Sequence, residues 1–186
     1  MVRMETERLI IRDYMESDLS EMHRLWSDKE AMYYLDDILT NTIDESAKYL
    51  KMGMENADGH YFCICEKNAD YFIGSIGYTI TNETPLGKIV HMGYMLLPEY
   101  HGRGYMPEVT KKVIEFAFIA DGCIRITTGC HKDNDASRKV LDRAGFRREG
   151  ERIRAVYHDG VMKDRLEYAI NKDDFMTNFN NGGNAQ

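Results

Sequence analysis

Leu97-Pro98-Glu99-Tyr100-His101-Gly102-Arg103-Gly104-Tyr105-Met106-Pro107-Glu108 leaves an apolar strand-like run, turns through two glycines and enters a helical pattern. Glycine lets backbone approach a ligand closely, and the first amides of a helix have no internal acceptor, so such a turn presents donors to an anion such as a phosphate. Pro107 costs little there, because its missing N–H would have been an orphan donor. A P-loop would need Gly-Lys-Ser/Thr, and a dinucleotide turn would need glycine where Pro107 stands. Taken alone, the stretch also fits a tight strand-to-helix turn that binds nothing.

Working outward, residues 61–66, 71–80 and 88–97 are rich in β-branched and aromatic residues and are separated by turn-forming loops, Asn68-Ala69-Asp70 and Thr84-Pro85-Leu86-Gly87, which predicts an antiparallel meander. The third run is apolar on both faces, so it belongs at the centre of a sheet. Upstream, residues 9–13 read as the first strand. Ser17 or Asp18 then caps a helix carrying Leu19, Met22, Leu25 and Trp26. Thr42 with Glu45 makes a capping box before Ile43, Ala47, Leu50 and Met54, with Met22, Met52 and Met54 read as core or groove filling. Downstream come a helix over 105–120, a strand over 123–129, a short helix over 134–144 ended by Gly145, and a hairpin of 146–157 and 162–170 around His158-Asp159-Gly160. The alternation is that of an α/β (α+β) domain.

A second motif lies on the short helix, Asn134-Asp135-Ala136-Ser137-Arg138-Lys139-Val140-Leu141-Asp142-Arg143-Ala144-Gly145-Phe146. With the glycine turn about thirty residues before it, this resembles the GNAT acetyltransferase superfamily. In that family Gln/Arg-x-x-Gly-x-Gly/Ala cradles the pyrophosphate of coenzyme A, and an Asn-x-x-Ser/Ala helix ending in Gly-Phe lies beside the coenzyme. The opening Met4-Glu5-Thr6-Glu7-Arg8-Leu9-Ile10-Ile11-Arg12 and Leu25-Trp26-Ser27-Asp28 are similar to the branch that acetylates N-termini of ribosomal proteins, the RimJ/RimL type, and its small-molecule relatives. The resemblance covers roughly residues 4–170. It implies a mixed, mostly antiparallel sheet flanked by helices, with splayed central strands that bind acetyl-coenzyme A as cosubstrate.

By this resemblance the coenzyme meets His101, Gly102, Arg103, Gly104, Tyr105 and Met106 at the turn and Asn134 and Ser137 on the helix. The amides of Met95, Leu96 and Leu97 hold the pantetheine arm and polarise the thioester carbonyl. This chain departs from the family at His101, where Gln or Arg is usual, and at Met106, where a small residue is usual and a bulkier side chain is expected close to the turn. Gly104 is expected to be the position where a side chain would obstruct the amides. Leu141 stands where many relatives carry a tyrosine acid, which makes Ser137 the substitute candidate, or else a residue that only hydrogen-bonds helix or coenzyme. Relatives often place a glutamate base in the run that reads His91-Met92-Gly93-Tyr94 here. His91, with an ordinary pKa of about 6.5, is therefore the candidate base, or else a core histidine paired with a carbonyl. Tyr33 and Tyr34, with Asp36 and Asp37 beside them, lie where relatives line the acceptor side. Glu108 is expected to favour the helix N-terminus without a chemical role.

The 186 residues carry a net charge of −7 and four cysteines, Cys63, Cys65, Cys123 and Cys130, without CxxC spacing. The charge argues against a nucleic-acid partner, and the cysteines argue against a metal and for a reducing, cytoplasmic compartment. No apolar run approaches the ~20 residues that span a bilayer, so no membrane partner is expected. His23, His60, His131 and His158 are expected at the surface. Residues 1–172 are expected to form a single domain and 173–186 a tail that is partly disordered. The expected activity is transfer of acetyl to a primary amine, either a peptide N-terminus or a small molecule, by a monomer or homodimer. A non-catalytic coenzyme A-binding module of the same fold is the alternative.

Overall fold

The computed structural model describes residues 1–35, 38–67 and 71–182, with side chains described through 177. The expected acidic pair Asp36-Asp37 and the loop Asn68-Ala69-Asp70 lie outside the described residues. Eight strands form one mixed, mostly antiparallel sheet in the order β1-β2-β3-β4-β5-β6-β8-β7. They are β1 (Arg3–Glu5), β2 (Leu9–Asp13), β3 (Gly59–Glu66), β4 (Tyr71–Thr84), β5 (Gly87–Leu96), β6 (Cys123–His131), β7 (Arg147–His158) and β8 (Val161–Asn171). The helices are α1 (Leu19–Trp26), α2 (Ile43–Glu55), α3 (Tyr105–Ile119), α4 (Asp135–Ala144) and α5 (Lys172–Gly182). The run expected to be central is indeed internal, because β5 lies between β4 and β6.

The chain divides into two compact units, one of residues 1–79 and 93–112, the other of residues 80–92 and 113–186. In the first, α1 and α2 pack on β2 and β3 around Met22, Leu25, Trp26, Leu50, Cys63 and Leu97. Ser17 or Asp18 was expected to cap α1; Asp18 holds the N-cap position, yet its side chain makes no cap bond. Instead its two oxygens accept from both terminal nitrogens of Arg12, at 2.8 and 2.7 Å, and from the amide of Met15 at 2.7 Å. A buried carboxylate takes the guanidinium, because an unpaired charge there would be far costlier than an uncapped helix. The capping box of Thr42 and Glu45 forms as read. The buried line of α2, however, runs through Ser46 and Leu50, while Ile43, Met52 and Met54 are exposed. Ser46 can sit inside because its hydroxyl meets His23 Nδ1 at 2.9 Å and Thr40 Oγ1 at 2.7 Å.

In the second unit β6 pairs antiparallel with β8, and β8 with β7. Asp159 and Gly160 close the β7–β8 hairpin, both at positive φ, as a two-residue turn of the hand that suits strand twist requires. The helix α4 stops at Gly145, which takes the left-handed conformation at φ 90°. His131 and His158, expected at the surface, are both buried, with ring centroids 5.1 Å apart. They end strands β6 and β7 rather than sitting in loops. The tail expected from residue 173 begins as helix α5, whose Phe175 packs against Phe118 at 5.4 Å. Residues 183–186 lie outside the described residues.

Candidate active site

Strand β5 delivers the chain into a short 3-10 turn, Pro98–Tyr100, and then into the glycine turn that opens α3. Gly102 and Gly104 lie at φ 74° and 77°, where a side-chain-bearing residue is strained. Within the protein itself there is room at both glycines: a Cβ at 104 would meet only the Arg8 guanidinium at 3.7 Å, and at 102 nothing within 4 Å, so a side chain there would project into the open side of the turn. The turn is open on its outer side, and the first amides of a fifteen-residue helix stand behind it. Met106, the bulky departure, is turned inward and buried, so it does not crowd the open side.

His101 donates from Nε2 to the carbonyl of Leu96 at 3.0 Å, since a carbonyl can only accept. Its ring thus ties the turn back to the end of β5. The amide of Leu97, one of the three expected at the thioester, donates to Ile73 at 3.0 Å and is committed to the sheet. Met95 and Leu96 precede it on a stretch that β4 approaches closely. A Cβ on Gly74 would lie 2.3 Å from the Met95 carbonyl oxygen.

The β1–β2 turn straps this region, which the sequence reading did not anticipate. Arg8 donates from Nε to Glu108 at 2.7 Å and from a terminal nitrogen to the Arg103 carbonyl at 3.0 Å, and it lies over the Tyr105 ring at 4.6 Å. The Tyr105 hydroxyl donates to Glu66, and that bond, more than burial, pushes its pKa up. Burial alone would raise the Glu108 carboxyl, but hydrogen bonds from Thr6 and Arg8 outweigh it and hold the group below its ordinary value. Glu108 is therefore an ionised carboxylate already paired with a cation, and Arg103 is left exposed beside the turn with its guanidinium 5.3 Å from the Tyr100 ring.

His91 and Thr127 are register partners on β5 and β6, whose parallel pairing runs from Lys88↔Cys123 to His91↔Thr127 and goes no further. His91 is exposed on its outer side and meets Thr127 Oγ1 from Nδ1 at 3.2 Å. It is not the carbonyl-paired core histidine of the alternative reading. Protein crowding on its inner side, then the positive charge of Arg165, hold its pKa below 6.5, with Glu167 opposing. Arg165 and Glu167 come from β8 and were not foreseen. Their spacing of two on a strand puts them on one face, but the chain order does not reveal that β8, rather than β7, adjoins β6.

Asn134 caps α4, its Oδ1 accepting from the Ser137 amide at 3.0 Å. The Ser137 hydroxyl hydrogen-bonds Cys130, whose thiol burial pushes up. Leu141 is fully buried. Tyr33 and Tyr34 follow α1 in a turn, edge to face at 4.8 Å, with Tyr33 exposed. Among the described residues no group of three or more His, Cys, Asp or Glu could hold a metal ion, and no helix is long and apolar enough to cross a membrane.

An α/β chain whose internal strand carries a histidine and then runs through an open glycine turn into a helix N-terminus has a layout that suits group transfer. The family model described as Acetyltransferase (GNAT) domain matches residues 8–147, and the chain belongs to that family. It is 27% identical over 172 residues to the uncharacterized N-acetyltransferase YoaA of Bacillus subtilis, covering 91% of this chain and 96% of that one. The ribosomal-protein-S5-alanine acetyltransferase from Vibrio fischeri superposes with a TM-score of 0.79 at 25% identity, over 94% of this chain and 98% of that one. The spermidine N-acetyltransferase from Vibrio cholerae, solved with CoA and spermine, superposes with a TM-score of 0.83 at 16% identity, over 92% of this chain and 99% of that one.

Proposed function

We propose that this protein transfers acetyl from acetyl-coenzyme A to a primary amine, with His91 as the base. The observation that carries the reading is the open glycine turn at the N-terminus of α3, with a paired Glu108 and an exposed Arg103. A pyrophosphate needs backbone donors and no uncompensated negative charge, and the turn meets both conditions. The cosubstrate supplies an activated acetyl group as a thioester. Gly102 to Met106 receive its phosphates, and Asn134 and Ser137 on α4 serve as the second coenzyme motif. The amides of Met95 and Leu96 are the remaining candidates to polarise the carbonyl.

His91 accepts at Nε2 the proton the amine must lose, directly or through water. A neutral ring at pH 7 can do this, and its lowered pKa keeps it neutral. The amine nitrogen bonds to the acetyl carbon as the carbon–sulfur bond breaks, and the thiolate leaves with a pKa near ~8.5, tolerable without a strong acid. Ser137, bonded to Cys130, is the only side chain proposed for that proton.

The acceptor is either a peptide N-terminus or a small amine. The relatives named for ribosomal-protein and spermidine acetylation support both, and the exposed Tyr33 with Tyr34 is the proposed acceptor wall. Four free cysteines, all buried, fit a reducing compartment such as the cytoplasm. The test is thermal melting with acetyl-coenzyme A, followed by thiol release across polyamines, amino acids and N-terminal peptides. Stabilisation with turnover upholds the reading and assigns the acceptor. Stabilisation without turnover on any amine favours the coenzyme-binding module, and no stabilisation overturns both.

A further inference from the structure

The hydroxyl of Thr127 has one proton and two neighbours. Its oxygen lies 3.0 Å from the Val90 carbonyl and 3.2 Å from His91 Nδ1. A carbonyl can only accept, so the Thr127 proton points to Val90, and the same oxygen is then an acceptor toward the histidine. The hydrogen between Thr127 and His91 must therefore belong to Nδ1. In a neutral ring with Nδ1 protonated, Nε2 bears the lone pair.

We infer that Thr127 is a positioning residue that fixes His91 in the Nδ1–H tautomer and so makes Nε2 the basic nitrogen. The inference rests on the proposed role of His91 for its catalytic meaning, but the tautomer itself stands on the Thr127 geometry alone. The arrangement is held from both sides. His91 and Thr127 face each other in register on parallel strands, and the Thr127 oxygen is anchored to the carbonyl of the residue just before His91. A neutral ring in water favours the other tautomer, Nε2–H, which would present a donor where a base is needed.

Of the charged groups facing His91, Arg165 favours the neutral form and Glu167 opposes it. Arg165 reaches this face over Gly129, where a Cβ would lie 2.8 Å from its Nε, so Gly129 is what admits the guanidinium. Glu167 stays near Arg165, with its oxygen 3.3 Å from Nε, so part of its field is spent on that cation.

The experiment is nitrogen-detected NMR of the histidine rings in the whole protein above pH 7, assigned by comparison with His91→Gln, alongside kinetics of Thr127→Val and Thr127→Ser. Wild type and Thr127→Ser should show Nδ1–H at His91. Thr127→Val, which keeps shape and strand propensity but loses the acceptor, should shift the ring toward Nε2–H. It should also lose roughly 10-fold in kcat with KM for acetyl-coenzyme A unchanged, a modest share of what general-base catalysis supplies. An Nε2–H ring in wild type, or an unchanged ring in Thr127→Val, overturns the inference. Full activity in His91→Gln would instead overturn the base assignment, and the NMR result would still decide the tautomer.

Discussion

Replacing Arg8 with methionine removes a strap while keeping most of the side chain's apolar bulk, so the loss reports the guanidinium alone. Three contacts go: the ion pair with Glu108, the bond to the Arg103 carbonyl, and the contact with the Tyr105 face. The pair is only partly shielded, with side-chain exposures of 43% and 21%, so it contributes at the upper end of a surface pair, about 1 kcal/mol. The cation–π contact adds ~0.5 kcal/mol at such exposure, and the bond to a carbonyl adds ~0.5 kcal/mol. Glu108, left unpaired, still faces the α3 N-terminus, which limits the penalty. The total is about 2 kcal/mol, or a melting temperature lower by roughly 4–8 °C at this chain length. Urea unfolding of wild type, Arg8→Met, Arg8→Lys and Glu108→Gln measures it. Lysine keeps a charge but cannot serve Glu108 and Arg103 together, so it should recover less than half. The strap also holds the backbone of the glycine turn, so coenzyme A should bind Arg8→Met several-fold more weakly, while a pantetheine lacking the pyrophosphate is unaffected. An Arg8→Met protein within ~0.5 kcal/mol of wild type, the range of an ordinary surface substitution, would refute the strap.

Gly74→Ala should destabilise by at least ~2 kcal/mol, because its Cβ meets backbone of β5 at 2.3 Å, whereas Gly93→Ala, with nothing within 4 Å, should be near neutral; chemical denaturation of the pair compares them. Burial would raise the Asp18 carboxyl, but Arg12, the Met15 amide and Cys63 hold it below its ordinary value. A carboxylate lowered on folding stabilises fully above its unfolded pKa of about 3.9 and loses that contribution as pH falls through the folded value. Asp18→Asn should therefore be less stable at pH 7 and flatter in stability below pH 5. For His91 the active form is neutral, so kcat/KM should fall only as pH drops below 6.5. Arg165→Met should move that limb upward by a fraction of a unit, because burial, the larger cause, remains.

Much of this fold is legible in the chain because its signals are local. The box of Thr42 and Glu45, the stop at Gly145 and the Asp159-Gly160 turn each act over a few residues, and each is found where the sequence puts it. What escaped depends on partners distant in sequence. Strand β1 is three residues with only Met4 buried, too short for alternation to register, and it exists because β2 pairs with it. Asp18, one of two candidate caps, holds the N-cap position of α1, but its carboxylate is taken by Arg12. Nothing local marks Ser46 as buried; its burial depends on His23 and Thr40 satisfying its hydroxyl. Helix α5 has little apolar content, and its anchor is Phe175 on Phe118. The candidate site divides the same way. The glycines and Asn134 are visible as motifs, while Arg8 on Glu108, a hundred residues away, and the β8 pair Arg165 and Glu167 depend on the order of strands.

That division explains how two departures from the family pattern fit together. Where relatives often carry a glutamate on the central strand, this chain carries His91, and a histidine exposed to water would be partly protonated near pH 6.5 and of uncertain tautomer. Arg165 bears on the first problem and Thr127 on the second, and neither is adjacent to His91 in the chain. Where relatives often carry a tyrosine acid, Leu141 is sealed in the core, so no acid can act from that position. With His91 as the proposed base, a leaving thiolate that needs little help completes a workable pair. The chemistry then rests on deprotonating the amine, and the rate should respond far more to changes at His91 and Thr127 than to removal of the Ser137 hydroxyl.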